Sequence, residues 1–121
     1  MTDPRLIARR IVAACERSRI NVSTEDSAHL SLSKALRAQG MVVEDEVRLS
    51  PKDRIDLLIG TVGVEVKIKG QRRDIYHQLQ RYAASDRIEA LVLVTSAPWP
   101  ATIREIGGKP FFNASLSVGW L

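Results

Sequence analysis

The sequence holds a single cysteine, Cys15. That excludes an intrachain disulfide framework, a cysteine-rich zinc site and a four-cysteine iron–sulfur cluster. It points to a reducing, cytoplasmic compartment. The opening M-T-D-P-R has no apolar segment of the signal-peptide kind. No run approaches the roughly 18 apolar residues of a membrane span. The longest, 90–94, has only strand length. Aromatic residues are scarce, at 5%, and form no ladder for base stacking. Trp99 and Trp120 read as core, lid or interface residues. There is no internal repeat, low-complexity tract or linker. A G-x-G-x-x-G or P-loop signature is also missing, which counts against a small-molecule enzyme built on a strand–helix–strand unit.

The 121 residues suit one domain, 1–121, large enough to bury a core without staples. Lys plus Arg number 18 against 14 Asp plus Glu, a net charge of +4. That balance favours a polyanionic partner such as nucleic acid.

The spacing predicts a first helix over 4–19, capped by Asp3 with Pro4 at its first position. Leu6, Ile7, Ile11, Val12 and Cys15 form its apolar stripe. Arg5, Arg9, Arg10, Arg17 and Arg19 decorate the rest, either as a solvated face or as phosphate contacts. A second helix is predicted over 24–39, with Ser23 as N-cap and Gly40 just past its end. Its stripe carries Leu32 and Leu36, and running it backward meets His29 and Glu25. Strands follow at 41–49, 54–59 and 64–69, then a helix over 72–85 with Ile75, Leu79, Tyr82 and Ala83 on one face. The run 90–94 reads as a strand buried on both faces. A short helix near 102–106 and a last strand over 110–118 complete the chain. The fold class is α/β, a compact domain with a mixed central sheet flanked by helices.

The stretch R-I-D-L-L-I-G-T-V-G-V-E-V-K-I-K-G, 54–70, is nearly all apolar, yet carries Asp56, Glu65 and Lys67. With 61–62 as a two-residue loop, Asp56 lies opposite Lys67 and Leu58 opposite Glu65. Ile55, Leu57, Ile59, Val64, Val66 and Ile68 then share one face and the charges the other. Opposed residues sit about 4.5–5.5 Å apart and diagonal ones about 7–8 Å, so one cation is within reach of both carboxylates. Thr-Val is poor chemistry for a primed turn, and a longer loop would change this register. Hard cations such as Mg²⁺ take oxygen ligands. Asp56, Glu65 and the main-chain carbonyl of Val66 supply them, and Lys67 can hold a water or offset charge on a phosphate. Together these parts describe phosphodiester hydrolysis. The plainer alternative is a hairpin with a solvated, salt-bridged face.

Asp56, eight intervening residues, then Glu65-Val66-Lys67 resembles the D-(x)n-E-x-K core of the PD-(D/E)xK nuclease superfamily. Gln78-Leu79-Gln80-Arg81-Tyr82 is similar to the Q-x-x-x-Y motif of its RecB-like and lambda-exonuclease-like branch. Glu25 matches that family's acidic residue on a preceding helix. The resemblance covers about 24–95. It implies a restriction-endonuclease-like fold and DNA cleavage with Mg²⁺ or Mn²⁺. Asp56 and Glu65 would bind metal, with Glu25 or His29 as a further ligand. Lys67 would be catalytic, Glu25 would assist, and Gln78 would position the site or the DNA. Ile55 stands where the motif name has proline, which leaves the metal chemistry intact. Lys69, Arg72, Arg73 and Arg81 follow the motif, either as a solvated face or lining a DNA path with Tyr82; the plainer reading of Gln78 and Tyr82 is as packing residues on an inward face. The chain is too short for a separate recognition domain. Cleavage would therefore be structure-dependent, non-specific, or directed by a protein partner or the second subunit of a homodimer. The alternative is a DNA-binding or assembly module that keeps the fold and cleaves nothing.

Overall fold

The computed structural model describes residues 3–18 and 20–116. Its elements are α1 (Pro4–Arg17), α2 (Glu25–Ala38), β1 (Glu44–Arg48), β2 (Arg54–Ile59), β3 (Val62–Lys67), α3 (Arg72–Ala83), β4 (Ala90–Thr95), β5 (Glu105–Ile106) and β6 (Lys109–Ser115). The strands form one mixed sheet in the order β1-β2-β3-β4-β6-β5. β1, β2 and β3 run antiparallel in turn, and β3, β4 and β6 run parallel. The described residues thus form an α/β fold of six strands and three helices. No helix among them is long and apolar enough to cross a membrane.

The sheet separates two cores. Ala8, Ile11, Leu32 and Leu36 of α1 and α2 pack with Leu57, Val64, Val92 and Val94 on one side. Ile75, Leu79 and Tyr82 of α3 pack with Ile55, Leu58, Leu91 and Leu93 on the other. Every residue of β4 is buried, as its unbroken apolar run implies. Each such Val or Leu contributes about 1.5–3 kcal/mol of burial, so β4 anchors both cores. Cys15 is buried in the first core, and burial pushes its thiol up to about 12; it is unreactive at neutral pH.

Asp3 caps α1, accepting from the Arg5 amide, with Pro4 at the first turn. Leu6 departs from the expected stripe: it is exposed, and Ala8 and Ala14 line the core instead. Small residues there let the helix lie close to the sheet. α2 is capped by Thr24, not Ser23, because the Thr24 hydroxyl accepts from the Ser27 amide. Gly40 takes the expected left-handed conformation after it.

The hairpin register differs from the expected one by two residues. Leu57 pairs with Val64, Leu58 with Gly63 and Ile59 with Val62. The turn is Gly60-Thr61, since Gly60 adopts φ 62° and glycine at the first central position suits a type II′ turn. Continuing this register sets Asp56 opposite Glu65 rather than Lys67. A shift of two keeps faces unchanged, so Glu65 and Lys67 still point together. Ile55 is the exception. It packs with Leu58 in the α3-side core, while Leu57 and Ile59 face the other core. The alternation therefore slips at Asp56.

Residues 102–106 are not helical. Glu105–Ile106 pairs with Pro110 and Lys109 across Gly107-Gly108, both at positive φ. The two glycines close a hairpin that apolar spacing alone misreads. β6 begins at Lys109 and is described to Ser115. Residues 117–118 of the expected strand, together with Arg19 and Trp120, lie outside the described residues.

Candidate active site

Asp56 stands where two ladders are interrupted. On one side, β1 pairs with β2 at Asp45–Leu57 and again at Val47–Ile55, skipping Glu46 and Asp56. Glu46 there holds φ 52°, a left-handed conformation that costs a non-glycine residue on the order of 1 kcal/mol. On the other side, the β2–β3 pairing stops at Leu57–Val64. Side chains replace the missing backbone bonds. Val66 N–H donates to Asp56 Oδ2 at 2.8 Å, and Asp56 N–H donates to Glu65 Oε1 at 3.2 Å. The carboxylates thus lie in the gap where the strands part.

Glu65 is only 3% exposed. Burial, then the Asp56 charge beside it, push its carboxyl up to about 8, against the pull of Lys67. Burial also raises Asp56, opposed by the Val66 amide and by His29 and Lys67. Lys67 Nζ stands 3.5 Å from Glu65 Oε2. A hairpin with a merely solvated charged face would not bury a carboxylate in this way.

The Q-x-x-x-Y residues converge on Glu65 from α3. Gln78 Nε2 donates to the Tyr82 hydroxyl at 2.8 Å. That hydroxyl lies 3.0 Å from the Arg54 carbonyl and 3.3 Å from Glu65 Oε2. A phenol has one proton, so it donates to one of them at a time. A protonated Glu65 would donate to Tyr82 and release the phenol proton to Arg54. Burial and the Glu65 and Asp56 charges push the Tyr82 phenol up, so it stays neutral. Tyr82 is fully buried and cannot contact DNA as the motif spacing suggested; its ring fills the core and its hydroxyl serves Glu65.

The structure brings His29 to this site, with Nδ1 4.0 Å from Asp56 Oδ1. Its Nε2 lies 3.0 Å from Asp45 Oδ1, a residue sequence reasoning missed. Arg37 grips Asp45 Oδ2 at 2.6 Å and also donates to Ser33 and the Val43 carbonyl. Burial raises the Asp45 carboxyl, but hydrogen bonds from Arg37, His29 and Ser33 outweigh it and the net shift is downward. The run E-D-E-V-R gave no sign of this role, because Asp45 acquires it from a helix far away in sequence.

Glu25 is placed differently. Its Oε2 accepts from the amides of Ile68 and Lys69 at 3.0 and 3.4 Å. It fastens the chain just past β3 rather than touching Asp56 or Glu65. Lys69, Arg72 and Arg73 are exposed beyond that point. Arg81 is paired with Asp53 at 3.0 Å.

A buried carboxylate, Glu65, beside a half-buried one, Asp56, offers oxygen ligands of the kind a hard divalent ion takes. Among the described residues no three His, Cys, Asp or Glu side chains form a ready cage. Mg²⁺ asks for less: one or two carboxylates, waters and substrate phosphate. The donor set of Asp56 and Glu65 fits that ion, and an imidazole beside it also fits Mn²⁺.

No family model, curated protein or solved structure matches the chain.

Proposed function

We propose that this chain is a metal-dependent deoxyribonuclease on a restriction-endonuclease-like fold, cutting DNA phosphodiester bonds internally. One observation carries this reading: Asp56 and Glu65 meet in the gap between β2 and β3, with Lys67 beside them. The carboxylates also seam the two strands, but burying Glu65 beside a second carboxylate is a costly way to do so.

Asp56 and Glu65 would hold Mg²⁺ or Mn²⁺, with the Val66 carbonyl and His29 as further donors. The ion would polarise a phosphoryl oxygen and lower the pKa of a bound water. Lys67 would orient the attacking water or offset charge growing on the phosphate. Tyr82, steadied by Gln78, would keep Glu65 aimed at the ion. Asp45, locked by Arg37, would set the ring of His29, as carboxylate partners do for ligand histidines. Glu25 would act indirectly, by fixing the chain after Lys67. Lys69, Arg72 and Arg73 would meet DNA phosphates. A homodimer or a directing protein partner would add selectivity.

The test is a substrate panel: supercoiled plasmid, linear duplex, single strand and four-way junction, each with Mg²⁺, Mn²⁺ or EDTA. Metal-dependent products are expected, abolished by Asp56→Asn, Glu65→Gln or Lys67→Ala with the fold retained. Full activity in all three variants would refute the reading.

A further inference from the structure

A second basic site lies away from the carboxylates. Arg5 and Arg9 of α1 and Arg104, just before β5, line one cleft of about 390 Å³ with Glu105, Pro110, Phe111 and Phe112. The Arg9 guanidinium carbon sits 5.8 Å from the centre of the Phe112 ring. All three arginines are exposed. Among the described residues, none of their guanidinium groups forms an ion pair. Glu105 sets one negative charge against three positive ones.

Helix stability does not explain this cluster. Arg5 occupies the first turn of α1, which holds no acidic residue. A cation there opposes the helix macrodipole. Arg9 follows one turn later, about 6 Å along the axis, and Arg104 adds a third like charge. An anion shared among them would reverse that repulsion. Guanidinium forks match phosphate oxygens in particular.

The cleft is distinct from the carboxylate site. Phe112 aligns with Val92, and Val92 with Val64, whereas Lys67 aligns with Thr95. The two places are thus separated by roughly 10 Å along the strands and roughly 10 Å across them.

We infer that the Arg5–Arg9–Arg104 cleft is a second phosphate-binding site, occupied by the backbone of a nucleic acid. Exposed Arg10, about 100° round α1 from Arg9, adds a further positive charge on a neighbouring flank of the helix. An extended polyanion uses such a surface, and a lone phosphate does not. The choice of nucleic acid rests on the nuclease reading, and the experiment separates the two.

A labelled duplex is titrated with the full-length Glu65→Gln protein in EDTA over a range of salt, by fluorescence anisotropy. The same protein carrying Arg5→Ala, Arg9→Ala and Arg104→Ala is compared, with circular dichroism as the fold control. The slope of log K against log salt is expected to flatten by about 0.9 to 2.7, about 0.9 for each phosphate, from one to three, that the arginines neutralise. An unchanged slope overturns the inference and leaves the nuclease reading standing. A flattened slope in a protein whose wild type never cleaves DNA supports the second site and refutes the nuclease. Polyglutamate that binds more tightly than duplex, through the same three arginines, overturns nucleic acid in favour of an acidic protein segment.

Discussion

Asp56 and Glu65 each supply the hydrogen bond that the other's strand is missing. The Asp56 carboxylate accepts from the amide next to Glu65, and the Glu65 carboxylate accepts from the Asp56 amide. The pair is therefore the seam of the hairpin. Its burial favours the protonated or metal-bound state over two bare charges.

That preference has a sign in stability. Glu65 has a folded value near 8, above its unfolded value of about 4.3. Between those limits the folded state binds more protons, so without metal stability falls as pH rises through the window. Glu65→Gln resembles the protonated form and keeps an oxygen for the Asp56 amide. In EDTA at pH 8 its melting temperature is expected to exceed the wild type's by about 4 °C, the effect of about 1 kcal/mol in a domain of this size. The gap should close toward pH 4. Thermal melts across that range would check it.

Metal binding should release protons. If Asp56 and Glu65 hold the ion, Mn²⁺ binding near neutral pH displaces a proton from the pair. Calorimetry in buffers of different ionisation enthalpy would show an apparent heat that tracks the buffer. That dependence should weaken toward about pH 9, because Glu65, pushed up to about 8, is by then largely ionised.

Tyr82→Phe keeps the ring and removes the hydroxyl shared by Gln78, Arg54 and Glu65. A loss of about 1–3 kcal/mol is expected from the buried groups left without partners. Metal affinity should drop about 10-fold or more, as it does for lost outer partners. Gln78→Ala touches Glu65 only through Tyr82 and should cost less on both counts. Denaturant unfolding and Mn²⁺ titration would compare the two.

Gly63 lies under Ile55. A Cβ added there would overlap Ile55 Cδ1 and stand 2.8 Å from Ile88 Cδ1. Both isoleucines are buried, so they have little room to yield. Gly63→Ala should destabilise by about 1–3 kcal/mol. It also presses on the residue beside Asp56, so cleavage should fall along with stability.

Much of this was legible from local pattern. The Leu32–Leu36 stripe led back to His29, and the alternation of 64–67 set Glu65 and Lys67 on one face. What failed had non-local or backbone causes. The turn fell on Gly60 because only glycine takes that φ cheaply, and the register moved with it. Ile55 crossed to the α3 side because the pleat slips at Asp56. Asp45 looked like one more exposed acid until α2 packed beside it. At the other edge, Gly107-Gly108 made a hairpin where helical spacing had suggested a helix.

The most direct test is the initial rate of supercoiled-plasmid nicking with Mg²⁺, wild type beside Glu65→Gln. Nicking by the wild type that EDTA stops, and that falls at least about 100-fold in the folded variant, is the expected result. Equal rates in the two proteins would contradict a metal centre at Asp56 and Glu65.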